Sequence, residues 1–223
     1  MKAMILAAGR GERVRPLSDV TPKPLLTAGG KPLIVWMLER LREGGIREIV
    51  INHAHLGAQI EAALGDGARF GVSIRYSAEC EALETAGGIA NALDLLGDAP
   101  FIAAAGDIYC DYDFGKLCSR DLGAGLAHLV LIPNPPHNLK GDFALDGSAL
   151  QNNGSPRHTF SGIGLYDPRL FTGIKPGSRH KLAHLLREAA DAGKASGELY
   201  VGDWFDIGTP ERLADLDRRL SRV

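Results

Sequence analysis

The chain has 223 residues, of which 45% are hydrophobic and 23% are charged, and its formal net charge at pH 7 is -2. A chain of this size can bury one hydrophobic core, so we expect a single domain over residues 1–223. The slightly negative charge argues against a nucleic-acid-binding protein, because such proteins usually carry a surplus of Lys and Arg.

The cysteines and the first residues bear on the cellular compartment. Cys80, Cys110 and Cys118 are odd in number and contain no C-x-x-C pair, which argues against a disulfide framework or a zinc site. The apolar run after Lys2 ends at Arg10 and is too short for a secretion signal or a membrane span. We therefore expect a cytoplasmic protein without a membrane partner.

Apolar runs of strand length alternate with amphipathic stretches of helix length along the chain. Strands are predicted at Ala3–Ala7, Ile46–Asn52, Ser73–Tyr76, Phe101–Gly106, Gly125–Ile132, Phe143–Leu145 and Tyr200–Gly208. Helices are predicted at Leu33–Glu43, Gly57–Leu64, Gly87–Leu96, Arg179–Ala192 and Pro210–Leu220, the last with Thr209 as its N-cap. This alternation predicts an α/β fold with a mostly parallel, mixed sheet flanked by helices. Prolines and glycines predict an irregular, pocket-shaping insertion at about 133–160.

The first strand runs into a glycine-rich, basic loop. Small residues let backbone N–H groups approach an anion, and these are Ala7, Ala8, Gly9 and Gly11. Arg13 and Lys23 add positive charge. A Walker A loop is excluded, because no Gly-Lys-Ser/Thr triplet follows the first glycine, and Val14 stands where a dinucleotide fingerprint needs a small residue. The loop therefore indicates a site for nucleotide phosphates.

Two acidic residues follow predicted strands that are far apart in the sequence. Asp107 comes directly after the apolar run Phe101–Gly106, and Asp206 lies in the run Trp204-Phe205-Asp206-Ile207-Gly208. Open α/β sheets place their ligands at the carboxyl ends of the strands. Two carboxylates, together with phosphates and water, suit Mg²⁺, so we expect both residues to bind this metal.

The N-terminal signature is long. The pattern Leu6-Ala-Ala-Gly9-x-Gly11-x-Arg13-x-x-Pro16-Leu17, followed by Thr21-Pro22-Lys23-Pro24-Leu25, resembles the sugar-phosphate nucleotidylyltransferase family. The resemblance implies a Rossmann-like, glycosyltransferase-A-type fold, and an enzyme that joins a nucleoside triphosphate to a sugar 1-phosphate with Mg²⁺ as cofactor. It implies that Arg13 clamps the β- and γ-phosphates, that Lys23 lies near the α-phosphate or the sugar phosphate, and that Asp107 and Asp206 match the metal-binding acids of the family.

The same resemblance assigns the two substrate pockets. The predicted nucleotide-binding residues are Ala7, Ala8, Gly9, Gly11, Glu12, Arg13, Lys23, Thr85, Gly87, Gly88 and Gly106. The predicted sugar-binding residues are Asp142, Phe160, Ser161 and Gly162. Many glucose-1-phosphate members place a Glu-Lys-Pro motif before Phe160, and this chain has Ser155-Pro156-Arg157-His158 there. Plain glucose 1-phosphate is therefore not the expected acceptor.

Further segments are similar to the family members that transfer UMP from UTP to N-acetylmuramic acid 1-phosphate in peptidoglycan recycling. They are 51–57, 83–88, 141–143 and 181–183. The alternatives are a glucose-1-phosphate thymidylyl- or uridylyltransferase, a mannose-1-phosphate guanylyltransferase, and a catalytically silent regulator that binds a nucleotide sugar. No hexapeptide repeat follows Leu220, so we expect a stand-alone transferase, as a monomer or small homo-oligomer.

Overall fold

The computed structural model describes residues 1–221, which contain thirteen strands and eight α-helices. The strands are β1 (Lys2–Leu6), β2 (Thr27–Ala28), β3 (Lys31–Pro32), β4 (Glu48–His53), β5 (Ser73–Ala78), β6 (Phe101–Ala105), β7 (Ile108–Cys110), β8 (Ala127–Ile132), β9 (Phe143–Asp146), β10 (Ala149–Gln151), β11 (Arg157–Tyr166), β12 (Ala195–Leu199) and β13 (Trp204–Asp206). The helices are α1 (Leu17–Val20), α2 (Leu33–Glu43), α3 (Gly57–Leu64), α4 (Glu84–Asn91), α5 (Leu93–Leu96), α6 (Gly115–Cys118), α7 (Leu182–Asp191) and α8 (Pro210–Leu220).

Nine of these strands form one mixed sheet in the order β5-β4-β1-β6-β11-β8-β12-β10-β9. The parallel part contains β5, β4, β1 and β6, and β12 also runs parallel to β8. Strand β11 is antiparallel to both β6 and β8, and the strands beyond it add further antiparallel pairs. The α/β fold is as predicted, but parallel pairing prevails only in the first half of the chain.

Helices cover both faces of the sheet, because side chains of each strand alternate between two cores. Ile5 lies in one core with residues of α2 and α3, whereas Met4 lies in the other core with residues of α4 and α7. Both residues are fully buried. Helices α2 and α3 have the predicted bounds, and their apolar periodicity explains why.

Most predicted strands differ from the structure by only one or two residues at their ends, whereas four predicted segments differ by more. The helix predicted over 87–96 is divided into α4 and α5 at Ala92, and α7 begins at Leu182 rather than at 179. The strand predicted over 200–208 is only β13. The segment 133–160 contains β9, as expected, but also β10 and the start of β11. Glycines and prolines at its turns hid the strand pattern.

A small second sheet brings two distant segments together. Strands β7 and β13 pair antiparallel, so that Asp206 lies opposite Ile108. The backbone N–H of Ile207 donates to the carbonyl of Asp107 over 3.1 Å. Thr209 caps α8 as predicted, since its side chain accepts from the Arg212 N–H over 3.4 Å. No helix in residues 1–221 is long and apolar enough to cross a membrane.

Candidate functional site

Four adjoining cavities open at the carboxyl ends of β1, β4 and β6. The loop cavity, of about 590 Å³, is lined by Leu6, Ala7, Gly9, Gly11, Glu12, Arg13, Val14, Lys23, Pro24, Glu84 and Asp107. The middle cavity, of about 390 Å³, is lined by Leu6, Ala8, Gly9, Asn52, Ala82, Glu84, Thr85, Ala105, Asp107 and Arg179. The carboxylate cavity, of about 300 Å³, is lined by Arg13, Lys23, Ala105, Asp107, Ile108, His137, Asn138, Asp142, Thr159, Phe160, Ser161, Gly162, Trp204 and Asp206. The apolar cavity, of about 370 Å³, is lined by Leu6, Glu84, Thr85, Ala103, Ala105, Asp142, Phe143, Phe160, Gly162, Tyr166, Lys181, Leu182, Ala183, Leu186 and Arg187.

The loop after β1 is shaped by Gly11. Its φ is +69°, in the region that favours glycine, and a Cβ atom there would lie 3.1 Å from Cβ of Lys23. The chain then forms one turn of 3-10 helix over Glu12–Val14. Glu12 and Arg13 are exposed on this turn, and Arg13 lines both the loop cavity and the carboxylate cavity.

A buried hydrogen-bond relay connects this loop to α4. The N–H of Ala7 donates to Oδ1 of Asn52 over 3.0 Å, and Nδ2 of Asn52 donates to Oε1 of Glu79 over 2.7 Å. The other carboxylate oxygen of Glu79 accepts from the N–H of Leu83 over 2.9 Å. The relay therefore fixes two walls of the middle cavity relative to each other.

Lys23 and Asp107 form an ion pair between the loop and the end of β6. Nζ of Lys23 donates to Oδ2 of Asp107, and the lysine side chain is only 11% exposed. Pro22 and Pro24 restrict the backbone on both sides of the lysine. The ammonium group is thus held at the edge shared by the loop cavity and the carboxylate cavity.

Asp206 lines the carboxylate cavity and also has basic partners. Nη1 of Arg212 lies 2.9 and 2.8 Å from its two carboxylate oxygens. Nε2 of His137 lies 3.3 Å from Oδ1. The two carboxylates predicted to bind a metal are therefore each already paired with a basic side chain.

Three of the predicted sugar residues, Phe160, Ser161 and Gly162, lie at a bulge in β11, and the fourth, Asp142, precedes β9 and contacts this bulge. The register against β8 shifts between Phe160 and Ile163, and Gly162 has a φ of +82°. Asp142 accepts from the Phe160 N–H over 2.8 Å through Oδ2, and this oxygen also accepts from Asn138. Asp142, Phe160 and Gly162 line both the carboxylate cavity and the apolar cavity.

Ser161 differs from its neighbours, because its hydroxyl is used inside the protein. The side chain is buried, and its Oγ donates to the Val130 carbonyl over 2.7 Å. Its own carbonyl accepts from Nε1 of Trp204 over 2.9 Å. The structure thus places Ser161 at the cavity edge as a residue that holds the bulge in position.

Three of the predicted nucleotide-binding glycines are packing positions. Gly87, Gly88 and Gly106 are buried and line none of the four cavities. A Cβ on Gly87 would lie 2.2 Å from the Ser178 carbonyl oxygen, and one on Gly88 would lie 2.7 Å from the Asn52 amide. Gly87 and Gly88 let α4 approach its neighbours. Thr85, by contrast, lines the middle and apolar cavities.

Several residues of the site were missed by sequence reasoning. Glu84 lines three of the four cavities and has a φ of +61°, which is rare for a residue with a side chain. His137 and Arg212 contact Asp206 from a loop and a helix that are far from it in sequence. A buried glutamate such as Glu79 carries no local signal. Only Asn52, at the end of an apolar strand, stood at a position that could have suggested a role.

The cavities thus combine a glycine-rich basic loop with the two carboxylates predicted to bind a metal. Comparisons with known proteins give the family of the chain. The model of the nucleotidyl transferase family matches residues 2–139. An N-acetylmuramate alpha-1-phosphate uridylyltransferase of Neisseria meningitidis serogroup B is 54% identical over 222 residues, with 96% of each chain covered. A UTP–glucose-1-phosphate uridylyltransferase of Synechocystis is 30% identical, over 93% of this chain and 60% of that relative.

Solved structures show the same fold. A Bacillus anthracis protein crystallised with sucrose superimposes with a TM-score of 0.87 at 24% identity, covering 100% of this chain and 96% of its own. HddC from Yersinia pseudotuberculosis, complexed with GMP-PN, superimposes with a TM-score of 0.76 at 20% identity, covering 98% of each chain. The match of the family model, together with relatives that extend over nearly the whole chain, establishes that this protein is an enzyme of the nucleotidyl transferase family.

Proposed function

We propose that the protein transfers UMP from UTP to N-acetylmuramic acid 1-phosphate, giving UDP-N-acetylmuramic acid and pyrophosphate, in peptidoglycan recycling. The observation that carries this proposal is the 54% identity to a relative of that name over 96% of the chain. The cavities support it, because the loop cavity and the carboxylate cavity share Lys23 and Asp107. The apolar cavity next to them offers room for a sugar.

The reaction is an in-line displacement at the α-phosphorus of UTP. An oxygen of the sugar 1-phosphate forms a bond to that phosphorus, and the bond to the departing pyrophosphate breaks, without an intermediate on the enzyme. Negative charge accumulates on the transferred group and on pyrophosphate, so fixed cations lower the barrier. In this proposal Arg13 binds the leaving pyrophosphate, and Lys23 binds the α-phosphate or the sugar phosphate.

Mg²⁺ is the proposed cofactor, and Asp107 and Asp206 would hold it. Carboxylate oxygens are ligands that Mg²⁺ prefers, and it commonly completes its shell with substrate phosphates and water. Residues 1–221 contain no group of three or more His, Cys, Asp and Glu side chains arranged for a metal. Since two carboxylates alone make a weak site, the substrate phosphates have to complete it. The ion would supply positive charge next to the reacting phosphates.

A substrate matrix tests the proposed reaction. Pyrophosphate release is measured for UTP, dTTP, GTP and ATP, each with the 1-phosphates of N-acetylmuramic acid, N-acetylglucosamine, glucose and mannose. We expect the highest kcat/KM for UTP with N-acetylmuramic acid 1-phosphate. Highest values for dTTP or UTP with glucose 1-phosphate, or for GTP with mannose 1-phosphate, would assign the protein to the alternatives named above. No pyrophosphate release in any of the sixteen combinations would favour a catalytically silent regulator that binds a nucleotide sugar.

The dependence on metal gives a second prediction. Removing Mg²⁺ with a chelator should abolish pyrophosphate release, and adding Mg²⁺ should restore it. Calorimetric titration of Mg²⁺ should show weak binding to the protein alone and at least about tenfold tighter binding with a non-hydrolysable UTP analogue, because the phosphates complete the shell. Equal affinity with and without the analogue would contradict this model of the site.

A further inference from the structure

The apolar cavity contains two basic side chains that the proposed phosphate chemistry does not use. Lys181 comes directly before α7, and Arg187 lies on that helix. Both residues are exposed, and neither takes part in any salt bridge or side-chain hydrogen bond found among residues 1–221. Two cations therefore border a mostly apolar cavity without an anionic partner.

The two acidic side chains that line this cavity, Asp142 and Glu84, contact other groups and form no salt bridge with Lys181 or Arg187 within residues 1–221. Oδ2 of Asp142 accepts from the N–H of Phe160 and from Asn138. Oε1 of Glu84 lies 3.8 Å from Nη2 of Arg179. Burial raises the pKa of Tyr166, so its hydroxyl stays protonated and adds no negative charge. The positive charge at the α7 side of this cavity is thus left for a ligand.

The cavity is continuous with the place where the sugar phosphate would react. Asp142, Phe160 and Gly162 line both the apolar cavity and the carboxylate cavity, which also contains Lys23 and Asp107. A sugar 1-phosphate with its phosphate near these last two residues would extend across Phe160 toward α7. Ring substituents far from the phosphate would then meet the apolar and basic side chains of that helix.

We propose that Lys181 and Arg187 form a subsite for a carboxylate carried by the sugar, so that the apolar cavity selects sugar 1-phosphates with an acidic substituent. This assignment rests on the proposed function for the position of the phosphate. A lactyl ether combines a methyl group with a carboxylate, which matches an apolar wall formed by Leu182 and Leu186 beside two cations. N-acetylglucosamine and glucose lack the carboxylate and gain nothing from the two basic residues.

The test compares N-acetylmuramic acid 1-phosphate with the methyl ester of its lactyl carboxyl, two substrates that differ in one charge. Wild type should have a KM about tenfold lower for the acid than for the ester, as expected for a charge-assisted contact. The double variant Lys181→Met/Arg187→Met should raise the KM of the acid to that of the ester. It should leave the KM of the ester and both kcat values unchanged, a pattern that general damage to the helix would not give.

Matched controls separate charge from folding. Lys194→Met and Arg218→Met remove exposed cations that line none of the four cavities, and both should keep the tenfold preference. Arg187→Lys should retain most of the preference that Arg187→Met loses. Equal KM values for acid and ester in wild type would overturn the subsite, and so would a preference that survives in the double variant.

A second pair of ligands keeps this result distinct from the outcome for the proposed function. If neither muramic substrate is turned over, the proposed function fails, and calorimetric binding of glucuronic acid 1-phosphate and glucose 1-phosphate decides the subsite. A roughly tenfold preference for glucuronic acid 1-phosphate that the double variant abolishes would support it. Equal binding, or no binding, of the two would refute it. Equal KM values for N-acetylmuramic acid 1-phosphate and its methyl ester would support the proposed function and refute the subsite.

Discussion

At the scale of single residues, the site depends on charges that are paired before any substrate arrives. Lys23 pairs with Asp107, and Arg212 and His137 pair with Asp206. If these carboxylates bind Mg²⁺ as proposed, each would exchange its basic partner for the metal ion or contact both. The released lysine would then be available to a phosphate group, so that loading of the site and activation of the substrate are connected through one ion pair.

Asp107→Asn tests this arrangement. The amide keeps the size of the side chain but loses the charge that would hold Mg²⁺, so kcat should fall by about 10²–10³-fold, the range seen when one electrostatic contact to a transition state is removed. The thermal midpoint should also fall, because Lys23, whose side chain is only 11% exposed, loses its charged partner. Asp94→Asn on α5 removes an exposed carboxylate outside the four cavities and should keep full activity. Full activity of Asp107→Asn would contradict the proposed role of Asp107 as a ligand of Mg²⁺.

Glu84 carries backbone strain in the middle of the site. Its φ of +61° costs a residue with a Cβ atom about 1–2 kcal/mol, whereas glycine adopts this conformation freely. Glu84→Gly should therefore raise the free energy of unfolding by about 1 kcal/mol, measured by denaturant titration. Glu84→Ala removes the same carboxylate but keeps the strain, and it should show no such gain. A gain of equal size in both variants would attribute the effect to the carboxylate.

At the scale of elements, the hydrogen-bond relay that connects the loop after β1 to α4 requires a side chain with two acceptor oxygens at position 79. Glu79 accepts from the Asn52 amide and from the N–H of Leu83. A glutamine at this position offers one acceptor and one donor, so one donor would face another whichever way the amide turns. An unsatisfied buried donor costs about 1–3 kcal/mol.

Glu79→Gln should consequently lower the free energy of unfolding by about 1–3 kcal/mol and raise the KM for the nucleotide, since the relay fixes both walls of the middle cavity. Denaturant titration and steady-state kinetics measure the two effects. The neighbouring exposed Glu81→Gln is the matched control and should change neither. Unchanged stability of Glu79→Gln would show that the relay does not hold the loop.

The elements also differ in whether they could be predicted from the sequence alone. The loop after β1 and the acid after β6 were predictable, because each is a short motif at the end of an apolar strand. The central strand β11 was not, since Gly162 and the bulge beside it break the alternation on which strand prediction depends. Nor could the sequence pair Arg212 with Asp206, because that contact depends on how α8 packs after β13. Short motifs that carry functional side chains were therefore predictable, whereas the contacts of these side chains with residues far away in the sequence were not.

At the scale of the whole molecule, the nine-stranded sheet encloses a histidine that stays neutral. Burial of His128 lowers its pKa well below the ordinary value of 6.5, the nearby charge of Arg120 lowers it further, and Glu198 acts in the opposite direction. Nδ1 lies 2.8 Å from Oγ of Ser196, and the buried Nε2 lies 3.6 Å from Oε2 of Glu198 and has no hydrogen-bond partner among residues 1–221. A second proton on the imidazole ring would place a positive charge inside the sheet.

The stability of the fold should therefore depend on pH. Above pH 6.5 His128 is neutral in both the folded and the unfolded chain, and it contributes no pH dependence. Below pH 6.5 the unfolded chain binds a proton that the folded chain does not, so the free energy of unfolding falls with pH by at most about 1.4 kcal/mol per unit from this residue. Denaturant titrations at pH 7.0 and 5.5 measure the effect.

The variant His128→Gln isolates this contribution from that of the carboxylates. Its amide can still bond to Ser196 but takes up no proton, so its stability should fall less than that of wild type between the two pH values. The exposed His184→Gln on α7 should behave like wild type. If His128→Gln and wild type lose stability in parallel, the buried histidine does not set the acid sensitivity of the sheet. The sensitivity would then have to come from carboxylates such as Asp167, whose pKa is lowered by its hydrogen bonds from Arg169.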